Sequence, residues 1–154
     1  MESIQLKLIL SLFVSLCLLA PSTLAVNVDY CDKSASYNVK VQGVEISPNP
    51  VARGKPATFS ISASTGEAIS GGKLVIEVSY FGVHIHTETH DLCSETSCPV
   101  LAGDFLIAHS QVLPGFTPPG SYTLTMKMED ENQNLLTCIG FGFQIGFATD
   151  VADS

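Results

Sequence analysis

Three histidines and one glutamate alternate along a short stretch of the chain, and these residue types have the clearest capacity for chemistry. His84, His86, Glu88 and His90 are spaced two apart, so on a β-strand all four project from one face. Two histidines so spaced can chelate zinc, with the carboxylate as a further ligand. We expect a solvated face instead, because the order is not the helical His-Glu-x-x-His signature. A third interpretation is a pH effect, in which protonated imidazoles repel one another and loosen this edge.

Groups suited to nucleophilic catalysis are poorly placed in the sequence. There is no Gly-x-Ser-x-Gly elbow, and His109 and Ser110 are neighbours without an evident acid to orient the imidazole. Asp104, next to Gly103, reads most simply as a solvated loop carboxylate. We therefore predict that the protein is not an enzyme and has no catalytic residues, no cofactor and no metal.

Four cysteines follow the N-terminal region, namely Cys31, Cys93, Cys98 and Cys138. An even number behind a secretory leader predicts a disulfide framework, since an exported chain leaves the reducing cytosol. Four cysteines allow three connectivities. The most economical one joins Cys31 to Cys138, near the two ends of the domain, and Cys93 to Cys98, and we favour it.

The leader itself is predicted over residues 1–25. Lys7 precedes an apolar run from Leu8 to Leu19, and Thr23-Leu24-Ala25 supplies small residues for cleavage. The run is shorter than the ~20 residues that span a bilayer, which argues against a membrane anchor. We expect cleavage, one mature domain over residues 26–154, and a destination in the extracellular space or apoplast, or in the lumen of the endomembrane system or vacuole.

The charge balance limits the partners of the protein. The formal net charge is -8, and nucleic-acid binding requires a basic footprint. Nucleic acid is therefore not an expected partner. The acidic run Glu129-Asp130-Glu131, followed by Asn132-Gln133-Asn134, is typical of a solvated hairpin turn.

The elements that must position these groups are short strands. Apolar residues alternate with polar or small ones in five segments, and Pro- and Gly-rich turns separate them. No segment beyond the leader has a convincing helical period. We predict an all-β fold, an immunoglobulin-like antiparallel β-sandwich of two sheets with seven or eight strands. The alternating sets are Val39 and Val41; Phe59, Ile61 and Ala63; Leu74, Ile76, Val78 and Tyr80; Tyr122, Leu124, Met126 and Met128; and Ile139, Phe141, Phe143, Ile145 and Phe147.

An ordered set of motifs along these segments resembles the ML domain, the lipid-recognition family. The similarity is greatest to the phosphatidylglycerol/phosphatidylinositol transfer proteins and their plant relatives, and it extends to the Niemann-Pick type C soluble cholesterol carrier. The histidines of the alternating stretch are not part of the family motif. The motifs are Tyr30-Cys31, Val44-x-Ile46-Ser47-Pro48-Asn49-Pro50 with Gly54, Asp91-Leu92-Cys93, Cys98-Pro99, Gly103, Pro114, Pro119-Gly120-Ser121-Tyr122 and Thr137-Cys138.

The resemblance implies a sandwich with an apolar cavity between its sheets, and a family disulfide pairing that matches the one favoured above. It implies a protein that holds a single sterol or phospholipid, contacts membranes transiently and moves the lipid between them. We expect a monomer, since nothing in the sequence demands more. The alternative is an extracellular interaction module with a filled core that recognises a protein or cell-wall partner. Phe116, in the predicted rim 113–119, would cap a ligand or dip into a membrane, or else pack as a core contact beneath the loop. The residues expected to contact the lipid are Phe59, Ile61, Ile76, Val78, Tyr80, Phe105, Ile107, Phe116, Tyr122, Leu124, Met126, Phe141, Phe143 and Ile145.

Overall fold

Two antiparallel β-sheets form the body of the protein in a computed structural model that describes residues 2–17 and 24–146. The predicted cleavage residue Thr23 and the predicted strand residue Phe147 lie outside the described residues. Within the described ranges, no helix combines the length and apolar character needed to cross a membrane. The elements are α1 (Glu2–Cys17), β1 (Leu24–Val26), β2 (Val28–Tyr30), β3 (Val39–Ser47), β4 (Pro56–Thr65), β5 (Gly72–Tyr80), β6 (Val83–Asp91), α2 (Leu92–Glu95), β7 (Gly103–Val112), β8 (Gly120–Asp130) and β9 (Leu135–Ile145).

The strand order confirms the predicted all-β sandwich. One sheet has the order β1-β3-β4-β7 and the other β2-β9-β8-β5-β6. The described chain has nine strands where seven or eight were expected, because β1 and β2 have only three residues each and show no measurable period. A single turn of helix, α2, was also missed for its shortness. It leads from β6, at the edge of one sheet, towards β7, at the edge of the other.

Both disulfides of the favoured pairing are present. Cys31, just after β2, is bonded to Cys138 in β9, across a sequence separation of 107 residues. Cys93 in α2 is bonded to Cys98, five residues further on, in the connection to β7. The first bridge therefore closes almost the whole domain, and the second shapes the crossing between the sheets.

One end of the sandwich is filled by side chains. Leu74, Met126, Met128 and Ile139 of the five-stranded sheet are buried almost completely, as is Ala63 of the other sheet. They belong to one continuous apolar cluster. Burying a side chain of this size stabilises the fold by roughly 1.5–3 kcal/mol, so this end carries much of the folding free energy.

The expected hairpin turn joins β8 to β9. Asp130 accepts hydrogen bonds through Oδ1 from the backbone N–H groups of Asn132 and Asn134, each at 2.9 Å. The backbone and side-chain hydrogen bonds from Asn134, followed by that from Asn132, hold the pKa of Asp130 below its usual value despite a small opposing effect of desolvation. Gln133 takes a positive φ of 66°, which completes the reversal.

Candidate functional site

A cavity of about 470 Å³ lies between the two sheets at the end where β7 leads into β8. Its volume lies in the range of ~300–1,000 Å³ that is usual for sites holding a small molecule. The walls are mainly apolar, with a few polar groups along one side. The lining residues are Phe59, His109, Gln111 and Val112 of one sheet; Ile76, Val78, Ile85, His86, Glu88, Tyr122, Leu124, Phe143 and Ile145 of the other; and Leu113, Pro114, Phe116, Thr117 and Pro118 of the β7–β8 loop.

Eight of the fourteen residues expected to contact the lipid line this cavity: Phe59, Ile76, Val78, Phe116, Tyr122, Leu124, Phe143 and Ile145. The other six do not line this cavity. Four of these lie buried in the packed core and two are partly buried against it. They are Ile61, Ile107, Met126 and Phe141, and Tyr80 and Phe105, respectively. Alternation identifies the inward face of a strand, but not the point along it where the sandwich opens.

A row of aromatic rings runs from Tyr80 at the rim to Phe59 on the opposite sheet. The ring centroids of Tyr80 and Tyr122 lie 4.6 Å apart, those of Tyr122 and Phe143 5.6 Å, and those of Phe143 and Phe59 5.6 Å. Packed rings at these spacings add stability beyond their buried area. Burial, with a smaller contribution from Tyr80, raises the pKa of Tyr122. Its hydroxyl therefore stays neutral and able to donate.

The β7–β8 loop is held in place from several sides. Tyr122 donates its hydroxyl hydrogen to the carbonyl of Pro118 at 2.7 Å, and Tyr80 donates to that of Pro119 at 3.1 Å. Arg53 donates through Nη1 to the carbonyl of Thr117 at 3.1 Å. Tyr80 thus supports the rim without lining the cavity. Phe116 is 87 % exposed, so it is not a core contact beneath the loop.

A β-bulge in β6 changes the histidine pattern read from the sequence. Val78 pairs with His86 and Ser79 pairs with His84, which leaves Ile85 as an extra residue. A bulge of this kind shifts the side-chain alternation by one. His84 therefore faces outward, where its Nε2 lies 2.6 Å from Oγ1 of Thr87, and the prediction that it shares a face with His86 is wrong. Ile85 faces the cavity instead.

The remaining polar residues form a cluster between β6, α2 and β7 that we call the polar seam. Glu88 contacts His86 Nε2 through Oε1 at 2.8 Å and His90 Nε2 through Oε2 at 2.9 Å. Glu95 Oε1 lies 2.9 Å from His109 Nδ1 and 3.7 Å from His90 Nδ1. The seam joins the open edges of the two sheets along the side of the cavity. Its members are His86, Glu88, His90, Glu95, His109 and Gln111.

The charge arrangement in the seam argues against the predicted repulsion between imidazoles. Burial raises the pKa of Glu88, but hydrogen bonds from His90, His86 and Gln111 together outweigh it, so the pKa lies below its usual value. Ionised Glu88 stands between His86 and His90, and Glu95 stands between His90 and His109. A carboxylate therefore separates each imidazole of the seam from the next.

Sequence reasoning missed the seam because its halves come from different sheets. His109 has the orienting acid that the sequence did not reveal, Glu95, which lies on α2. Ser110 faces the other way and contacts Oγ1 of Thr58 at 3.2 Å, so His109 and Ser110 form no catalytic pair. Adjacent residues of a strand point to opposite faces. This alternation was the one signal in the sequence that His109 and Ser110 would be kept apart.

Three comparisons relate the chain to known proteins. The family model described as the ML domain matches residues 25–145. A Dictyostelium discoideum protein provisionally named a phosphatidylglycerol/phosphatidylinositol transfer protein is 32% identical over 89% of this chain and 97% of its own length. The MD-2-related lipid-recognition protein ROSY1 of Arabidopsis thaliana is 32% identical over 88% of this chain and 86% of its own length. Among solved structures, the Niemann-Pick type C2 protein of the Japanese carpenter ant has a TM-score of 0.61 at 15% identity, covering 77% of this chain and 99% of that one, which shows a shared fold.

Proposed function

The chain belongs to the ML domain family, and we propose that it binds one lipid molecule between its sheets and carries it between membranes. The observation that carries this proposal is the apolar cavity of about 470 Å³ at the open end of the sandwich. Protein interiors normally pack to the density of organic crystals, with few voids larger than a water molecule. An interaction module with a filled core has no use for such a space. The names of the relatives are those of transfer and recognition proteins, not of enzymes.

The chemistry of the walls suits the apolar part of a sterol or a phospholipid. Each methylene moved from water into the cavity contributes ~0.8 kcal/mol without needing a directional partner. Ile76, Val78 and Leu124 on the five-stranded sheet and Phe59 on the other provide such a surface. The mechanism is therefore partition of a lipid between two membranes and the cavity, with no bond made or broken.

The mouth of the cavity suits transient contact with a membrane. Apolar side chains are exposed on the β5–β6 hairpin, at the end of β7 and on the β7–β8 loop. Single exposed apolar residues are ordinary, but a group of them around a cavity marks an interaction surface. These residues are Phe81, Val83, Ile85, Val112 and Phe116.

Secretion through the leader completes the proposal. Two disulfides fit an oxidising compartment, the cell exterior or an endomembrane lumen. Cleavage after Ala25 would leave only Val26 of β1, since Leu24 and Ala25 pair with Ile46 and Glu45 of β3. N-terminal sequencing of the exported protein tests this boundary directly.

Native mass spectrometry of protein purified from its own source tests lipid binding. We expect a monomer that carries one lipid, and the mass of that lipid distinguishes a sterol from a phospholipid. Transfer is then measured from donor vesicles, loaded with that lipid, to lipid-free acceptor vesicles. A chain that carries no lipid and accelerates no transfer would contradict the proposal and favour a module that recognises a protein or cell-wall partner.

A further inference from the structure

We propose that the polar seam is a binding site for a divalent transition-metal ion of the zinc type, held by Glu88, His90 and His109. One ligand atom from each of these residues lies within 4.8 Å of the other two. Zinc takes imidazole nitrogen at ~2.0–2.1 Å and carboxylate oxygen at ~2.0–2.2 Å. Small side-chain movements therefore suffice to bring the three donor atoms around one ion.

The contacts of His109 show that the seam needs positive charge. Its Nδ1 faces Glu95 Oε1 and its Nε2 faces Gln111 Oε1, both at 2.9 Å and both acceptors. Gln111 cannot present its NH₂ group to the imidazole instead, because that group, Nε2 of Gln111, donates to Glu88 Oε1 at 3.3 Å. A neutral imidazole carries a single N–H. One of the two ring nitrogens of His109 therefore has no hydrogen and faces an acceptor oxygen with its lone pair, which is unfavourable unless the seam holds a further proton or a metal ion.

His90 approaches the same cluster of carboxylates from the neighbouring sheet. Its Nε2 lies 2.9 Å from Glu88 Oε2, and its Nδ1 lies 3.7 Å from Glu95 Oε1. The contact to Glu88 is a hydrogen bond that a neutral imidazole can make, and the contact to Glu95 is beyond hydrogen-bond distance, so the shortage of protons lies at His109. A divalent ion between Glu88, His90 and His109 supplies the missing positive charge at one point.

Glu95 occupies the position of an outer-shell partner. Its Oε1 lies 2.9 Å from Nδ1 of His109, which directs Nδ1–H of that imidazole towards the carboxylate and leaves its Nε2 lone pair for the metal, while Nδ1 of His90 is farther away, at 3.7 Å. Carboxylates placed behind ligating histidines fix the tautomer and raise the basicity of the ligand. The Glu95 and His109 side chains are only 12% and 13% exposed, so this half of the site is largely buried.

The location of the three ligands means that a bound ion would link the two sheets. His90 and Glu88 lie on β6 and His109 on β7, so the ion would join the edges of the two sheets along the cavity. Three protein ligands leave a fourth position open. Glu88 and His109 line the cavity, so this position faces it and takes a water molecule. The proposal departs from the expectation of no metal, because the sequence did not show that His109 meets Glu88 and His90.

Calorimetric titration of Zn²⁺ into the disulfide-bonded, lipid-free chain tests the site. We expect one ion per chain. His90→Gln and His109→Gln should each lower the affinity by a factor of 100 or more, on the order of the largest losses seen at outer-shell positions. Glu95→Gln keeps all three ligands and should lower it by about 10–100-fold. His84→Gln is the matched control, since it lies on the same strand but faces outward, and it should bind like the wild type.

Absence of saturable binding by the wild type would overturn the proposal, as would unchanged affinity in His109→Gln. An equal loss in His84→Gln would also overturn it, because binding would then belong to the exposed face of β6. If a variant does not fold, the ¹⁵N resonances of the histidines are followed in the wild type during the Zn²⁺ titration instead. Zn²⁺ should shift Nε2 of His90 and His109 and leave that of His84 unchanged, and the reverse pattern contradicts the site. No lipid enters these measurements, so their outcome is independent of lipid transfer.

Discussion

A substitution at Val78 can change the volume of the cavity that is available to a ligand. It is half-buried on β5 and lines the cavity together with the more deeply buried Ile76. Val78→Phe places an aromatic ring where the ligand would lie. Displacing two ligand methylenes costs ~1.6 kcal/mol, so we expect the Kd for lipid to rise about tenfold or slightly more. A fluorescent-lipid displacement assay measures the change, and the melting temperature should stay within a few degrees of the wild type.

The matched control is Val75→Phe on the same strand. Val75 pairs with Lys127 and Thr89 and faces away from the cavity, so the same added volume should leave the Kd unchanged. Equal losses in the two variants would show that the change acts through β5 and not through the cavity. Unfolding of Val78→Phe alone would mean that the space is needed for core packing.

Among the elements, the β7–β8 loop is expected to control contact with the membrane. Phe116 is exposed on a loop held by three side-chain hydrogen bonds, so its ring can enter a bilayer without reordering the loop. Burying such a ring is worth roughly 1.5–3 kcal/mol. Phe116→Ser should therefore slow lipid transfer between vesicles about tenfold or more.

Leu101 provides the control for this prediction. It is also strongly exposed, but it precedes β7 at the strand end opposite the loop and does not line the cavity. Leu101→Ser should leave transfer unchanged. A similar slowing in both variants would point to general surface hydrophobicity and not to a defined contact surface.

The β8–β9 hairpin should lose stability in acid through its turn. The hydrogen bonds from Asn134 and Asn132 hold the pKa of Asp130 below its usual value of 3.8. A lowered pKa in the folded state stabilises the fold above the usual pKa, and this contribution disappears as the pH falls through the lowered one. Wild type should therefore be more stable than Asp130→Asn at neutral pH and equal to it in strong acid. Urea unfolding over this range measures the difference, and a difference independent of pH would contradict the assignment.

How far the elements could be predicted depends on whether a feature is local. Alternation placed Ile76, Leu124 and Phe143 on inward faces, because the period of a strand is set by its own backbone. The bulge at Ile85 was not predictable, since it arises from pairing with β5 and reverses the direction of His84. The meeting of His90 with His109, whose ring centroids lie 4.6 Å apart, also depends on how two sheets are brought together. Neither the bulge nor this contact can be predicted from the periodicity of a single strand.

For the whole molecule, a cavity between the sheets means that part of the usual core packing is missing, and the disulfides are expected to offset this. The bridge between Cys31 and Cys138 spans 107 residues, whereas that between Cys93 and Cys98 spans only five. In the chain-entropy model, closing the longer loop stabilises the fold by about 4–5 kcal/mol and closing the shorter one by about 2 kcal/mol. Each pair is replaced by alanine and the free energy of unfolding is measured in urea. The loss of stability should be larger for the Cys31 and Cys138 pair than for the Cys93 and Cys98 pair.

Lipid should restore part of the stability in both disulfide variants, because a ligand that binds only the folded state stabilises it by mass action. At a free lipid concentration of about 100 times the Kd of the variant, the gain is ~2.7 kcal/mol, whichever bridge is absent. The alanine pair at Cys31 and Cys138 would then remain less stable than the wild type, while the pair at Cys93 and Cys98 would recover to about the lipid-free wild-type level. Equal losses in the two variants without lipid would contradict loop closure as the source of the stabilisation. A gain confined to one variant would show that its missing bridge also shapes the cavity.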